Sequence, residues 1–117
     1  MSRDASLYVA DMIEACERVV RFTKDVERGD LAAGSMVHDA VLRNLEVLGE
    51  AAKRVPLEVR ALAPTIAWRR IAGLRDVLAH AYFGIDEDII WDVVQTEAPA
   101  LLPQLVDLRG RLAGPTP

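Results

Sequence analysis

The stretch that decides the fold covers residues 35–55 and reads SMVHDAVLRNLEVLGEAAKRV. Its apolar residues return every three or four positions, the spacing of one face of an α-helix. This stripe consists of Val37, Val41, Leu45, Leu48, Ala52 and Val55. Ser35 belongs to the residue types that cap helix N-termini, so we expect the helix to begin just after it. Gly49 costs about 1 kcal/mol against alanine inside a helix, so we expect a neighbouring helix or ligand to approach closely there.

Three further segments share this helical periodicity, and no segment has a convincing strand pattern. Helices are expected at about 4–28, 66–83 and 86–112, with a short helical turn at 57–62. Thr65 and Asp86 are the expected N-caps of the later two helices. Pro99 and Pro103 interrupt the last pattern, so we expect a kink or a break there. The sequence therefore predicts an all-α protein, an up-and-down helical bundle of four main helices plus a short helix.

Length and composition fit one helical domain over residues 1–113, followed by a disordered tail at 114–117. Of the 117 residues, 51% are hydrophobic and only 5% are aromatic, so the core must be aliphatic. The formal net charge of -4 counts against a protein that coats RNA or DNA, because such proteins are usually basic. It counts less against an enzyme that needs only a local basic cleft.

The sequence offers little for redox or metal chemistry. Cys16 is the single cysteine, which excludes an internal disulfide and a cysteine-rich zinc site. The two histidines lack the spacing of a metal site, so we expect no metal and no cofactor, and we interpret His38 as structural. The N-terminus has no hydrophobic signal core and no apolar run is long enough to span a membrane, so we expect a cytoplasmic protein.

The segment 68–83, WRRIAGLRDVLAHAYF, carries the residues with the most chemistry. On a regular helix Asp76 and His80 lie one turn apart, within hydrogen-bonding reach of each other. Arg75 and Tyr82 lie two turns apart on nearly the same line. Histidine moves protons near neutral pH, and arginine stabilises the negative charge of a phosphate. These groups match the needs of RNA cleavage by the adjacent 2′-hydroxyl without a metal ion.

One arginine and one histidine per chain make a sparse active site. A two-fold dimer that brings two copies of this helix face to face would double both groups and create a shared groove. Arg69 and Arg70 lie just before the motif and are candidates for holding the RNA backbone. The segment therefore favours an RNA-cleaving homodimer.

The residues alone leave a plain structural interpretation open. Arg75 fits a surface ion pair, and His80 fits an ordinary partner of Asp76. Tyr82 and Trp68 fit packing aromatics with a polar tip better than a functional phenol or a base-stacking platform. On this interpretation the protein is a generic helical interaction protein and the motif is a coincidence.

The order and spacing of Arg75, His80 and Tyr82 resemble the signature of HepT-like toxins in the HEPN superfamily. In that signature, four residues separate an arginine from a histidine, and one residue of any type separates the histidine from a tyrosine. The run at 40–53, AVLRNLEVLGEAAK, resembles the second-helix pattern of that family. The resemblance extends over almost the whole chain, from about residue 8 to residue 108.

This resemblance implies a HEPN helical bundle that dimerises at the motif, with Arg75 and His80 as the active-site pair of an endoribonuclease. Asp76, where the family often has asparagine, would support or orient that pair. The resemblance also implies the toxin of a type II toxin–antitoxin system, whose partner is a minimal nucleotidyltransferase antitoxin. That partner would transfer AMP to Tyr82 and so block RNA. The alternative is a non-catalytic HEPN module that binds nucleotide or a nucleotidyltransferase partner.

Overall fold

A computed structural model of the chain describes residues 4–32, 34–74, 76–78 and 87–113. The helices in these ranges are α1 (Ala5–Phe22), α2 (Met36–Arg54), α3 (Leu57–Arg60), α4 (Trp68–Ala72), α5 (Glu87–Asp92) and α6 (Ala98–Leu112). A 3₁₀-helix at Arg28–Leu31 precedes α2, a π-helical turn at Val93–Glu97 joins α5 to α6, and helical backbone resumes after α4 at residues 74 and 76–78. No strand occurs in the described ranges, and the helical bundle confirms the predicted all-α class.

The helices share one aliphatic core, to which α1, α2 and α6 contribute most of the buried side chains. Helix α2 packs against both α1 and α4, and α1 also packs against α6. The largest fully buried side chains include Met12, Leu45, Ile90, Leu105 and Leu108. This composition confirms the aliphatic core that the low aromatic content predicts. Of the described helices, none is both long enough and apolar enough to cross a membrane.

Helix α2 has nearly the bounds that its sequence predicts. Ser35 accepts a hydrogen bond from the backbone N–H of His38 at 3.0 Å and so caps the first turn. The predicted stripe is buried except for Val37, which is partly buried. Local signals therefore suffice to define this helix.

The C-terminal end of α2 is capped by Arg60, which belongs to α3. Its Nε donates to the carbonyl oxygen of Val55 at 2.9 Å, and its Nη2 donates to that of Ala52 at 2.9 Å. A longer bond joins Nη2 to the carbonyl oxygen of Lys53 at 3.3 Å. The last carbonyls of a helix have no partner within it and carry partial negative charge, so a guanidinium stabilises this end. Arg60 thereby ties α3 to the end of α2.

Helix α1 begins after Asp4 as predicted, but the expected end at Arg28 is wrong, because the helix stops at Phe22. The hydroxyl of Thr23 donates to the carbonyl oxygen of Val19 at 2.7 Å. Such a bond back to the preceding turn competes with continued helix, and threonine has low helix propensity. The backbone leaves the helical conformation at this residue.

The last helical stretch is interrupted just before Pro99. Residues 93–97 form the π-helical turn, in which the N–H of Ala98 donates to the carbonyl oxygen of Val93. Pro99 has no N–H to donate to the preceding turn, and a single wider turn accommodates such a residue. Helix α6 then runs through Pro103 without a break, so the interruption lies at the first of the two prolines.

Cys16 lies against the start of α6. Its Sγ donates to the carbonyl oxygen of Ala98 at 3.1 Å, and its side chain is fully buried. Burial raises the pKa of the Cys16 thiol to about 11, and the Glu17 carboxylate adds a smaller increase. The thiol therefore serves as a packed hydrogen-bond donor between α1 and α6.

We expect Cys16 to be unreactive in the folded protein, because the thiolate is the reactive form and is disfavoured there. At about pH 8, a disulfide reagent such as DTNB should label the native protein only as fast as it unfolds, while glutathione, the exposed control thiol, reacts at once. Above the ordinary thiol pKa of 9.0, ionisation should favour the unfolded chain and lower stability until the folded thiol also ionises. Rapid labelling of the native protein would contradict this placement.

Candidate functional site

The segment that carries the predicted motif is anchored at its start by Trp68. This side chain is 8% exposed, and its Nε1–H donates to the carbonyl oxygen of Ala63 at 3.0 Å. The guanidinium of Arg60 lies over the indole, 5.8 Å from the ring centroid. Trp68 is therefore a packing residue, as predicted, and its ring is too buried to stack on a base.

The helix of this segment begins later than its sequence predicts. Its first residue is Trp68 rather than Ile66, and no side chain caps it. Thr65, the predicted N-cap, instead donates its hydroxyl to Oε1 of Gln104 at 3.0 Å. The prediction is wrong because the hydroxyl has a partner on α6, which no pattern within the segment indicates.

The helix is also interrupted at Gly73, so the predicted uninterrupted helix over 66–83 is wrong at this position. Helix α4 ends there, and the N–H of Gly73 donates to the carbonyl oxygen of Arg69 at 3.0 Å. The N–H of Asp76 then donates to the carbonyl oxygen of Gly73 at 3.1 Å. This bond spans three residues, as in a 3₁₀ turn, and is tighter than an α-helical one.

Helix α2 and the motif segment, residues 68–83, lie close together at Gly49, which confirms the close approach predicted for this glycine. A Cβ atom at this position would lie 3.0 Å from the carbonyl oxygen of Ile71 and 3.5 Å from Cβ of Leu74. The first distance is too short for an ordinary contact, and a backbone atom cannot move aside alone. The missing side chain thus determines how deeply the motif segment sits against α2.

The described part of the motif presents the predicted side to the core. Ile71, Leu74 and Leu78 are buried, as the apolar stripe predicts, whereas Asp76 is exposed. A carboxylate on the solvent side is available to a neighbouring group or to a partner. Four predicted residues lie outside the described ones, so their positions stay predictions: Arg75, His80, Tyr82 and the N-cap Asp86.

The two arginines ahead of the motif are both exposed, but they differ in their partners. Nη1 of Arg70 lies 2.9 Å from Oε1 of Glu97, and Nη2 donates to Oε2 at 3.1 Å. Arg69 forms no ion pair with any other residue that the structure describes. Sequence reasoning missed Glu97, because it lies 27 positions from Arg70 in another helical segment. No periodicity within either segment could have identified this pair.

An apolar pocket of about 200 Å³ opens beside this ion pair, between α2, α4 and the start of α6. Its apolar walls include Leu48, Ile71, Leu74, Val93, Ala98 and Leu101. Its polar lining residues are paired with each other, Arg70 with Glu97 and Thr65 with Gln104. The pocket is therefore an apolar cavity beside the motif segment, and it lacks the character of a charged cleft.

His38 occupies a structural position. It is 3% exposed, its Nε2 has no hydrogen-bond partner among the described residues, and its Nδ1 lies 3.5 Å from Oδ1 of Asp39. Within the described ranges, no group of three or more His, Cys, Asp or Glu side chains is arranged to hold a metal ion. His38 thus packs in the core, in agreement with its structural interpretation.

Family comparison confirms the resemblance that the sequence indicates. The family model described as "Ribonuclease HepT-like" matches residues 12–108. The chain belongs to the HepT-like ribonuclease family. The match spans Gly49, the Arg70–Glu97 ion pair and the whole motif segment, so these features lie within the family domain.

Similar proteins are also named as ribonucleases. The chain is 38% identical over 109 residues to "Probable ribonuclease HepT" of Thermococcus cleftensis, which covers 93% of this chain and 99% of that protein. It is 34% identical over 99 residues to "Putative RNase MJ1380" of Methanocaldococcus jannaschii, which covers 85% and 91% respectively. A comparable likeness, 34% over 101 residues, covers 86% of this chain and 90% of "Putative RNase TTE0752" of Caldanaerobacter subterraneus. No solved structure matches the chain.

We expect Gly49→Ala to destabilise the protein by about 1–3 kcal/mol, because the added methyl group is forced against the carbonyl of Ile71. Gly110→Ala is the matched control in α6. Apart from its chain neighbours and the backbone of its own helix, nothing lies within 4 Å of its Cβ position, so alanine should stabilise the helix by up to about 1 kcal/mol. Chemical denaturation followed by circular dichroism measures both changes. Similar stabilisation by both alanines would show that Gly49 is not a site of close packing.

Proposed function

We propose that this HepT-like protein is a metal-independent endoribonuclease whose active groups are Arg75 and His80. The observation that carries this function is the family match over residues 12–108, which contains the ordered set of Arg75, His80 and Tyr82. The names of similar proteins assign them ribonuclease activity. Exposure of Asp76 on the solvent side of the same segment is compatible with a reaction there.

The proposed reaction is attack of an RNA 2′-hydroxyl on the adjacent phosphorus. The bond from the 2′ oxygen to phosphorus forms while the bond from phosphorus to the 5′ oxygen breaks, which leaves a 2′,3′-cyclic phosphate and a 5′-hydroxyl. A neutral His80 imidazole accepts the 2′ proton, and an imidazolium supplies the proton that the 5′ oxygen takes up. Arg75 stabilises the negative charge on the non-bridging oxygens in the transition state.

A homodimer would complete this site. The reaction uses one proton acceptor and one proton donor, whereas each chain has one histidine in the motif. Two chains related by a two-fold axis at the motif would provide both groups, and both arginines, around a single phosphate. Asp76 would accept a hydrogen bond from His80 and so hold the imidazole in one tautomer.

We further infer that the protein is the toxin of a type II toxin–antitoxin system, neutralised by a minimal nucleotidyltransferase antitoxin. Transfer of AMP to the Tyr82 hydroxyl would place a negatively charged phosphate and a nucleoside close to His80. The new charge would compete with the RNA phosphate for Arg75. The support for this role is the position of Tyr82 two residues after His80 in the motif.

A second candidate is a non-catalytic HEPN module that binds nucleotide or a nucleotidyltransferase partner. The net charge of -4 favours it, as does the exposed Asp76, which would place negative charge beside a bound phosphate. The two candidates share a fold and a partner, and they differ in whether RNA is cut.

The purified protein should cleave single-stranded RNA in excess EDTA and leave 2′,3′-cyclic phosphate ends. His80→Ala and Arg75→Ala should each lower the rate by at least about 100-fold, the scale of proton transfer and charge stabilisation. Arg109→Ala is the control, because this exposed arginine lies on α6 outside the motif segment, and its rate should be unchanged. Equal cleavage by all four proteins would contradict the assignment, and partner binding without cleavage would favour the second candidate.

Tyr82→Phe should keep nuclease activity but escape neutralisation, because AMP transfer requires the phenol oxygen. Co-expression with a minimal nucleotidyltransferase from the neighbouring gene should add the mass of one AMP to the wild-type protein and none to this variant. Tyr8→Phe, which removes the other tyrosine hydroxyl, is the control and should still be modified. Modification that persists in Tyr82→Phe would contradict the proposed neutralisation.

A further inference from the structure

We propose that Glu97 restrains RNA binding by holding Arg70 in an ion pair that an RNA phosphate must replace. This role rests on the proposed function, because RNA is the ligand. It makes Glu97 a determinant of RNA affinity that lies outside the motif. It also separates the two arginines predicted to hold RNA, since Arg69 forms no ion pair within the described part of the chain, whereas Arg70 is available only when its pair with Glu97 opens.

The Arg70–Glu97 pair has the two-pronged geometry in which a guanidinium matches a carboxylate. Nη1 lies 2.9 Å from Oε1, and Nη2 donates to Oε2 at 3.1 Å. The same planar fork matches two oxygens of a phosphate group. Carboxylate and phosphate therefore compete for the same two nitrogen atoms.

Glu97 is the better fixed of the two partners. Its side chain is 31% exposed, whereas that of Arg70 is 64% exposed. Glu97 is the last residue of the π-helical turn, and Ala98 after it is buried and bonded to Cys16. The carboxylate is thus a fixed acceptor, and Arg70 is the side chain with room to turn toward another anion.

Arg111, another exposed arginine, has a backbone partner as well as a carboxylate partner. Arg111 donates to the carbonyl oxygen of Leu62 at 2.7 Å and pairs with Asp107 on its own helix at 3.0 Å. It therefore ties α6 to the chain that follows α3. Among the residues that the structure describes, Arg70 donates to no backbone carbonyl, and its ion pair and hydrogen bond both go to Glu97.

The energetics allow the exchange but penalise it. An exposed ion pair typically contributes about 0–1 kcal/mol, so a phosphate is able to displace Glu97. Displacement leaves the partly exposed Glu97 carboxylate without its cation and close to a second negative charge, which lowers RNA affinity. Glutamine at position 97 keeps the size of the side chain and removes the charge, so Arg70 becomes available at lower cost.

The test is a double-mutant cycle of wild-type protein, Glu97→Gln, Arg70→Gln and the double variant. Affinity is measured across a salt series with a single-stranded 2′-O-methyl RNA, which lacks the attacking hydroxyl. Glu97→Gln should bind more tightly and steepen the slope of log K against log salt by about 0.7, the value for one more phosphate contact. Arg70→Gln should cost less affinity in the wild-type background than in the Glu97→Gln protein, where it should abolish the gain.

Two further variants control for charge and for general RNA contacts. Glu14→Gln also removes one carboxylate and releases an arginine, since Glu14 pairs with Arg18 at 2.6 Å within α1. Its RNA affinity should rise less than that of Glu97→Gln. Arg69→Gln should weaken binding by the same factor whether residue 97 is glutamate or glutamine. Thermal unfolding of each variant verifies that all are folded.

Three results would overturn the restraint, of which two come from the comparison of variants and the third from binding itself. Either Glu97→Gln binds RNA no more tightly than Glu14→Gln, or Arg70→Gln costs the same affinity in both backgrounds. The pair would then be a structural tie between α4 and the last helical stretch. The nuclease assay tests a different proposal. If wild-type protein binds the methylated RNA but does not cleave ordinary RNA, the proposed reaction is wrong and the restraint by Glu97 still stands. Lack of RNA binding by all four proteins overturns the restraint.

Discussion

The close packing of α2 against the motif segment at Gly49 is the constraint on which the candidate site depends. A Cβ atom at Gly49 would lie 3.0 Å from the carbonyl oxygen of Ile71, so the two backbones are closer than an alanine side chain would comfortably allow. Volume added to a close-packed core forces side chains out of their preferred rotamers and shifts the backbone. The depth of this contact keeps Leu74 buried, leaves Asp76 in solvent and brings α4 to the distance at which Arg70 reaches Glu97.

The bounds of α2 could be predicted from sequence because every signal that defines them is local. Ser35 precedes the first turn, the apolar stripe has helical spacing, and Pro56 follows the last turn. The later part of the fold depends on partners far along the chain. The Thr65 hydroxyl is bonded to Gln104 and does not cap a helix. The pattern of residue types around Thr65 cannot indicate a partner that lies 39 positions away.

The candidate site also has one part that local sequence predicts and one part that depends on residues far along the chain. Its chemistry could be predicted from the order of residue types, since Arg75, His80 and Tyr82 form a recognisable motif and family membership follows from the chain as a whole. Its electrostatic setting could not be predicted, because the carboxylate that faces Arg70 comes from the π-helical turn. For an acidic protein this setting matters, since affinity for a polyanion depends on a few local cations that are free to bind it.

The connection from α2 to α4 has a consequence for engineering. Arg60 caps α2 and also lies over the indole of Trp68, so a single side chain of α3 couples the end of α2 to the beginning of α4. A reporter peptide or affinity tag inserted between these two residues would separate the cation from the ring and release the motif segment from its anchor. The turn before α2 is a better place for such an insertion, because Gly34 there is exposed and has a φ of 88° with nothing packed within 4 Å of its Cβ position.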